Sequence, residues 1–87
     1  MYYVYITHND KNEVCYIGVT THMKRRVKIH CLSEKSCCKI VYYESFDDSK
    51  EATNRETELL SFPKELIKIL VLENNPLLLD LLENMNH

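Results

Sequence analysis

Apolar and polar positions alternate over Tyr2 to His8. Val4 and Ile6 fall on one side of an extended chain, and Tyr3 and Tyr5 fall on the other. The cluster Asn9-Asp10-Lys11-Asn12 is a turn, and Val14 to Gly18 is the returning strand of a hairpin. With Val4, Ile6, Cys15 and Ile17 on the apolar side, Tyr5 and Tyr16 must share the opposite one. Thr20 and Thr21 are N-cap residues for a basic helix from about Thr21 to Leu32. On it, Arg26 and His30 share one face, and Met23 and Val27 share another. Cys38 to Phe46 reads as a third strand. Asp48 with Glu51 imitates a capping box for a helix from Ser49 to Ser61. That helix carries Ala52, Glu56 and Leu60 on one stripe, with Leu59 beside it. Pro63 opens a further apolar helix over Glu65 to Leu72, and Asn74-Asn75-Pro76 ends it. Leu77 to Leu82 is mostly leucine, and Glu83 to His87 frays.

The pattern describes one domain over residues 1–82, with three strands and intervening helices, followed by a short tail. Its 87 residues, 45% of them apolar, suffice for one modest core. No run is long and apolar enough to span a bilayer. Met1 leads straight into a strand-like segment without a basic n-region or cleavage site, which points to the cytoplasm. The four cysteines lack the paired spacing of a zinc site and read as free thiols.

Charge adds an asymmetry. The formal net charge is −2, unusual for a nucleic-acid enzyme. Residues 1–45 hold seven Lys/Arg against four Asp/Glu, a net of +3, whereas residues 46–87 hold four against nine, a net of −5. The basic half contains the hairpin and the first helix. Lys24, Arg25 and Lys28 extend its charge around Arg26, so a phosphate backbone would be held there in a salt-sensitive way. Gly18, the one glycine of the chain, marks a tight bend or a close backbone approach. Glu56 is a carboxylate facing the apolar side of its helix. Such a group needs a partner, either a structural pair with Arg25 or Arg26, or a metal ion.

The ordered set Tyr3-Val4-Tyr5, Tyr16-Ile17-Gly18, Arg26, His30, Arg55-Glu56 and Asn75-Pro76 resembles the GIY-YIG nuclease family over nearly the whole chain. Tyrosine stands at position 3 where the family name has glycine, and Tyr5 keeps the third place of that triplet. A stretch between the histidine and the next strand is shorter and less basic than in related proteins.

The resemblance implies an α+β fold, a small three-stranded antiparallel sheet flanked by helices, and a metal-dependent DNA endonuclease acting in repair, recombination or mobile-element processing. Tyr5 would be general base, Tyr16 would orient water or phosphate, and Arg26 would bind the scissile phosphate with help from His30. Glu56 would hold one Mg2+ or Mn2+. Lys24, Arg25, Lys28 and Asn75 would contact the substrate. A free tyrosine ionises near pH 10, so about 0.1% is phenolate at neutral pH, and a nearby cation must lower that value if Tyr5 is to act as base. Two other classes stand beside the enzyme: a silent nucleic-acid-binding module and a protein-interaction domain. The leucine stripes read as core or as a homodimer face.

Overall fold

The computed structural model describes residues 1–9, 11–26 and 39–84. Three antiparallel strands, β1 (Tyr2–His8), β2 (Val14–Thr20) and β3 (Lys39–Phe46), form a sheet in the order β2-β1-β3. The hairpin turn is held by Asn9, whose Oδ1 accepts from the backbone N–H groups of Lys11 and Glu13 at 2.9 Å each. Asn12 takes a left-handed φ of 60°, which asparagine tolerates better than most residues. The expected first helix begins at residues 23–26, and its continuation lies outside the described residues.

Helix α1 (Ser49–Ser61) is capped by Asp48, which accepts from Lys50 N. Its buried stripe is Ala52 and Leu59, with Glu56 half-buried at the margin. Leu60, expected on that stripe, is 61% exposed, because residues 52 and 59 lie two full turns apart while residue 60 is rotated a further 100°. Helix α2 (Lys64–Asn74) follows Pro63 and buries Ile67 and Val71. A 3-10 helix over Leu81–Asn84 closes the described chain, so ordered structure runs past the expected boundary at residue 82. No helix among the described residues is long and apolar enough to cross a membrane.

Strand alternation divides the core in two. On one face Val4 and Ile6 pack with Val41, Tyr42, Ala52, Leu59, Ile67 and Val71, so this face carries both helices. On the other, Tyr5 packs with Met23 and Ile40, flanked by Tyr3, Leu81 and Leu82. The register breaks twice around Thr7. Residues 7 and 8 pair with Tyr16 and Val14 in β2, skipping Cys15, and residues 6 and 7 pair with Tyr42 and Ile40 in β3, skipping Val41. The second bulge lets Val41 and its neighbour Tyr42 enter the same cluster. Cys15 is disulfide-bonded, which corrects the expectation of a free thiol there; Cys31, Cys37 and Cys38 lie outside the described residues.

Candidate active site

The tyrosine pair of the site stands on the face opposite the core that α1 and α2 cover. Tyr5 pairs with Gly18 across β1 and β2, and Tyr16 pairs with Thr7, so both tyrosines emerge on one side. Their ring centroids are 5.8 Å apart at an interplanar angle of 42°. The absent side chain of Gly18 makes this possible. A Cβ there would lie 2.5 Å from a Tyr16 ring carbon and 3.0 Å from the Tyr5 hydroxyl. Gly18 has no positive φ, so the requirement is close approach and not a tight bend. Tyr5 is fully buried, while Tyr16 is 36% exposed.

Arg26, in the helical turn after β2, is exposed and hydrogen-bonds the side chains of both tyrosines, which raises its pKa. The strand parity and the helix spacing therefore converge on three groups. Arg25 and Lys24, beside Arg26, are also exposed. Lys28 and His30 lie outside the described residues. Beside Arg26 opens a cavity of about 270 Å³ lined by Thr20, His22, Arg25 and Arg26. His22 was not among the expected site residues. Thr20 Oγ1 accepts from its backbone N–H, and its ring nitrogen lies 2.9 Å from Thr21 Oγ1. The signal was its place between the capping threonines and the basic helix.

The electrostatics depart from expectation at Tyr5. Its hydroxyl is pushed up to about 12, chiefly by burial, against which the hydrogen bond from Arg26 is the main opposing influence. Arg26 alone therefore does not make Tyr5 a base at neutral pH. The charge of Glu56 also reaches Tyr5 and raises its pKa, so the carboxylate belongs to the electrostatic surroundings of the tyrosines. The ion pairs of α1 are made by its neighbour: Arg55 binds Glu44 at 2.9 Å and also pairs with Glu58. Among the described residues no ion pair joins Glu56 to Arg25 or Arg26.

Two other residues take different roles. Asn75 is buried, and its amide is spent on the backbone: Nδ2 donates to Val41 O at 3.0 Å and Leu79 O at 2.9 Å, while Oδ1 accepts from Leu79 N at 3.1 Å. It fastens the turn after α2 to β3 and leaves nothing for a substrate. Tyr3, which replaces the family's glycine, packs edge-on against Tyr43 with centroids 6.1 Å apart and joins the Tyr5 cluster. The position is a packing site with room for an aromatic ring.

A model of the GIY-YIG catalytic domain matches residues 1–62. The chain belongs to the GIY-YIG family. That family is a nuclease superfamily, and the matched span includes Tyr5, Tyr16, Gly18, Arg26 and Glu56. A UPF0213 protein of Haloquadratum walsbyi is 34% identical over 71 residues, covering 74% of this chain and 79% of that protein. The solution NMR structure of a UPF0213 protein from Bacillus halodurans is similar with a TM-score of 0.56 and 25% identity, covering 86% of this chain and 87% of that one. The three-stranded α+β architecture is thus that of a small GIY-YIG protein of the UPF0213 kind.

Proposed function

We propose that this GIY-YIG protein is a metal-dependent endonuclease that hydrolyses phosphodiester bonds in DNA. The observation that carries the reading is the convergence of Arg26 on the hydroxyls of Tyr5 and Tyr16. A guanidinium offers planar, paired donors that match a phosphate, and in this place it is held by two tyrosine hydroxyls, which carry no opposing charge. It would bind the scissile phosphate and stabilise the charge that builds on it. Tyr16, partly exposed, would orient the attacking water or a phosphate oxygen. Tyr5 keeps its proton in the resting protein and acts first as a hydrogen-bonding hydroxyl; acting as base requires more positive charge than Arg26 supplies.

The donor chemistry fits a divalent ion. Glu56 is a hard oxygen ligand, and among the described residues no three His, Cys, Asp or Glu side chains gather into a metal cluster. One carboxylate plus water and phosphate oxygens is a normal environment for Mg2+, and Mn2+ accepts the same donors. Such an ion supplies charge neutralisation and a more acidic water. Arg25 and Lys24 would hold flanking phosphates, so binding should weaken steeply with salt.

Single-turnover cleavage of duplex, branched and single-stranded DNA at saturating Mg2+ tests the reading. Arg26→Ala should lose several orders of magnitude with the fold intact by circular dichroism, as a preorganised phosphate contact is worth several kcal/mol in the transition state. Arg25→Ala should lose about tenfold, through weaker capture. Arg26→Lys should recover binding better than turnover. Equal losses at positions 25 and 26 would reduce the helix to a basic surface. The second reading, a silent DNA-binding module, is favoured by the high pKa of Tyr5, and retention of DNA without cleavage by the wild type would select it.

A further inference from the structure

His8 is a buried histidine. It is 3% exposed, and among the described residues neither ring nitrogen has a hydrogen-bond partner. Buried polar groups are rarely left so, because a desolvated donor and acceptor both go unpaired. The ring lines a cleft of about 290 Å³ together with Asn12, Glu13, Val14, Lys64, Glu65 and Lys68. By strand parity the cleft opens on the helix-bearing side of the sheet, away from the tyrosine pair.

The other wall is the start of α2. Pro63 is its N-cap and has no side chain to offer the first amides, so no cap hydrogen bond is made there. Leu66 N and Ile67 N both donate to Pro63 O, which leaves the earlier N–H groups of Lys64 and Glu65 at the open positive end of the helix. Lys64 and Lys68 stand one turn apart and line the same cleft. Lys39 is also near. It donates to Asn12 Oδ1 at 3.3 Å, and its charge acts on His8.

We propose that this cleft is a second anion site, taking a phosphate group through His8, Lys64, Lys68 and the N-terminus of α2. It does not depend on the nuclease reading, since it uses none of the tyrosines, Arg26 or Glu56. An oxyanion would accept from the two ammonium groups and from the first-turn amides, and a small rotation of the His8 ring, whose nitrogens are closed off at rest, would add the imidazole N–H. Burial, with Lys39 and Lys68, holds the histidine below its ordinary pKa, so it carries one N–H. Two carboxylates oppose the anion. Glu13 accepts from Asn9 Nδ2 at 3.0 Å, whereas Glu65 stands in the first turn itself. Glu65 therefore limits affinity and excludes weakly binding anions.

The phosphate could be free or could belong to a DNA backbone, and one NMR experiment distinguishes them. The full chain, labelled with 15N on its histidine rings, is titrated with inorganic phosphate and separately with a short DNA duplex. A saturable shift of the His8 ring signals, with a rise in its pKa, under phosphate alone identifies a free phosphate ligand. The same shift under the duplex alone identifies a backbone phosphate. Lys64→Ala with Lys68→Ala should weaken the effect by about tenfold or more, the scale of lost charge-assisted contacts, and Glu65→Gln should strengthen it. All three changes are on exposed positions, so the fold is retained. His8 signals that stay fixed under both titrations, or that move equally in the lysine double variant, would overturn the proposal.

Discussion

Tyr5 and Gly18 sit directly opposite each other across β1 and β2, and the space over Gly18 is filled by the Tyr5 hydroxyl and the Tyr16 ring. A methyl group at position 18 would overlap that ring. Tyr16 is partly exposed and can swing away, so the strain is relieved by displacing a site residue and not the backbone. Gly18→Ala should thus cost roughly 1 kcal/mol of stability, near the small end of overpacking effects. Turnover should fall by about a hundredfold, since displacements near 1 Å carry losses of that order. Urea unfolding and single-turnover kinetics on the same variant check the separation.

Arg55 and Glu56 are adjacent in sequence and should separate in function. Arg55 binds Glu44, whose carboxylate also accepts from the Tyr42 hydroxyl, and these groups are about three-quarters buried. Arg55→Ala should lose about 1–2 kcal/mol of stability, more than an exposed pair and less than a fully buried one, with turnover of the folded fraction unchanged. Glu56→Gln should leave the melting temperature nearly unaltered and remove Mg2+-dependent cleavage. Thermal melts and a Mg2+ titration of cleavage give both readouts.

Asn75→Ala should unfold the protein more easily by about 2–3 kcal/mol, because Val41 O would be left buried without a donor and the turn at Leu78 would lose its brace. Leu78 holds a left-handed φ of 53°, which a leucine adopts only under constraint. Activity per folded molecule should be unchanged, measured by cleavage at low temperature against the fraction folded by circular dichroism.

Alkaline stability follows from two tyrosines. Tyr5 and Tyr42 are both pushed up to about 12, Tyr5 mainly by burial and Tyr42 by burial and then by Glu44. Each is neutral in both folded and unfolded chains below pH 10, so its contribution is fully present there. Between about pH 10 and 12 the unfolded chain ionises while the folded one resists, and stability falls by roughly 2–3 kcal/mol per group. The urea midpoint should therefore be insensitive to these groups below pH 10 and drop above it. Tyr5→Phe should remove part of that drop. Absorbance at 295 nm should show two of the six tyrosines titrating late.

The legible parts were those written in local periodicity. Alternation in Tyr2 to His8 put Tyr5 and Tyr16 on one face, and the Asp48 cap set the start of α1. Both rest on neighbours within a few residues. The bulges at Cys15 and Val41 were not legible, because an unpaired residue in a strand leaves no compositional mark. The rise in the pKa of Tyr5 depends on Met23, Ile40, Leu81 and Leu82 closing over it from three distant segments. Asn75 was assigned to the substrate by motif order alone; its amide binds Val41, thirty-four residues away, and only tertiary structure could reveal that.

The family match ends at residue 62, yet the chain beyond it reaches both sides of the sheet. Helix α2 seals Val4 and Ile6 on one side, and Leu81 and Leu82 cover Tyr5 on the other. The segment recognised by similarity therefore has part of its core covered by residues outside it. Fusing residues 1–62 to another protein would transplant the signature without its clamp, leaving two apolar surfaces open to water. A fusion that keeps both surfaces covered would extend past Leu82, so that α2 and the two leucines travel with the signature.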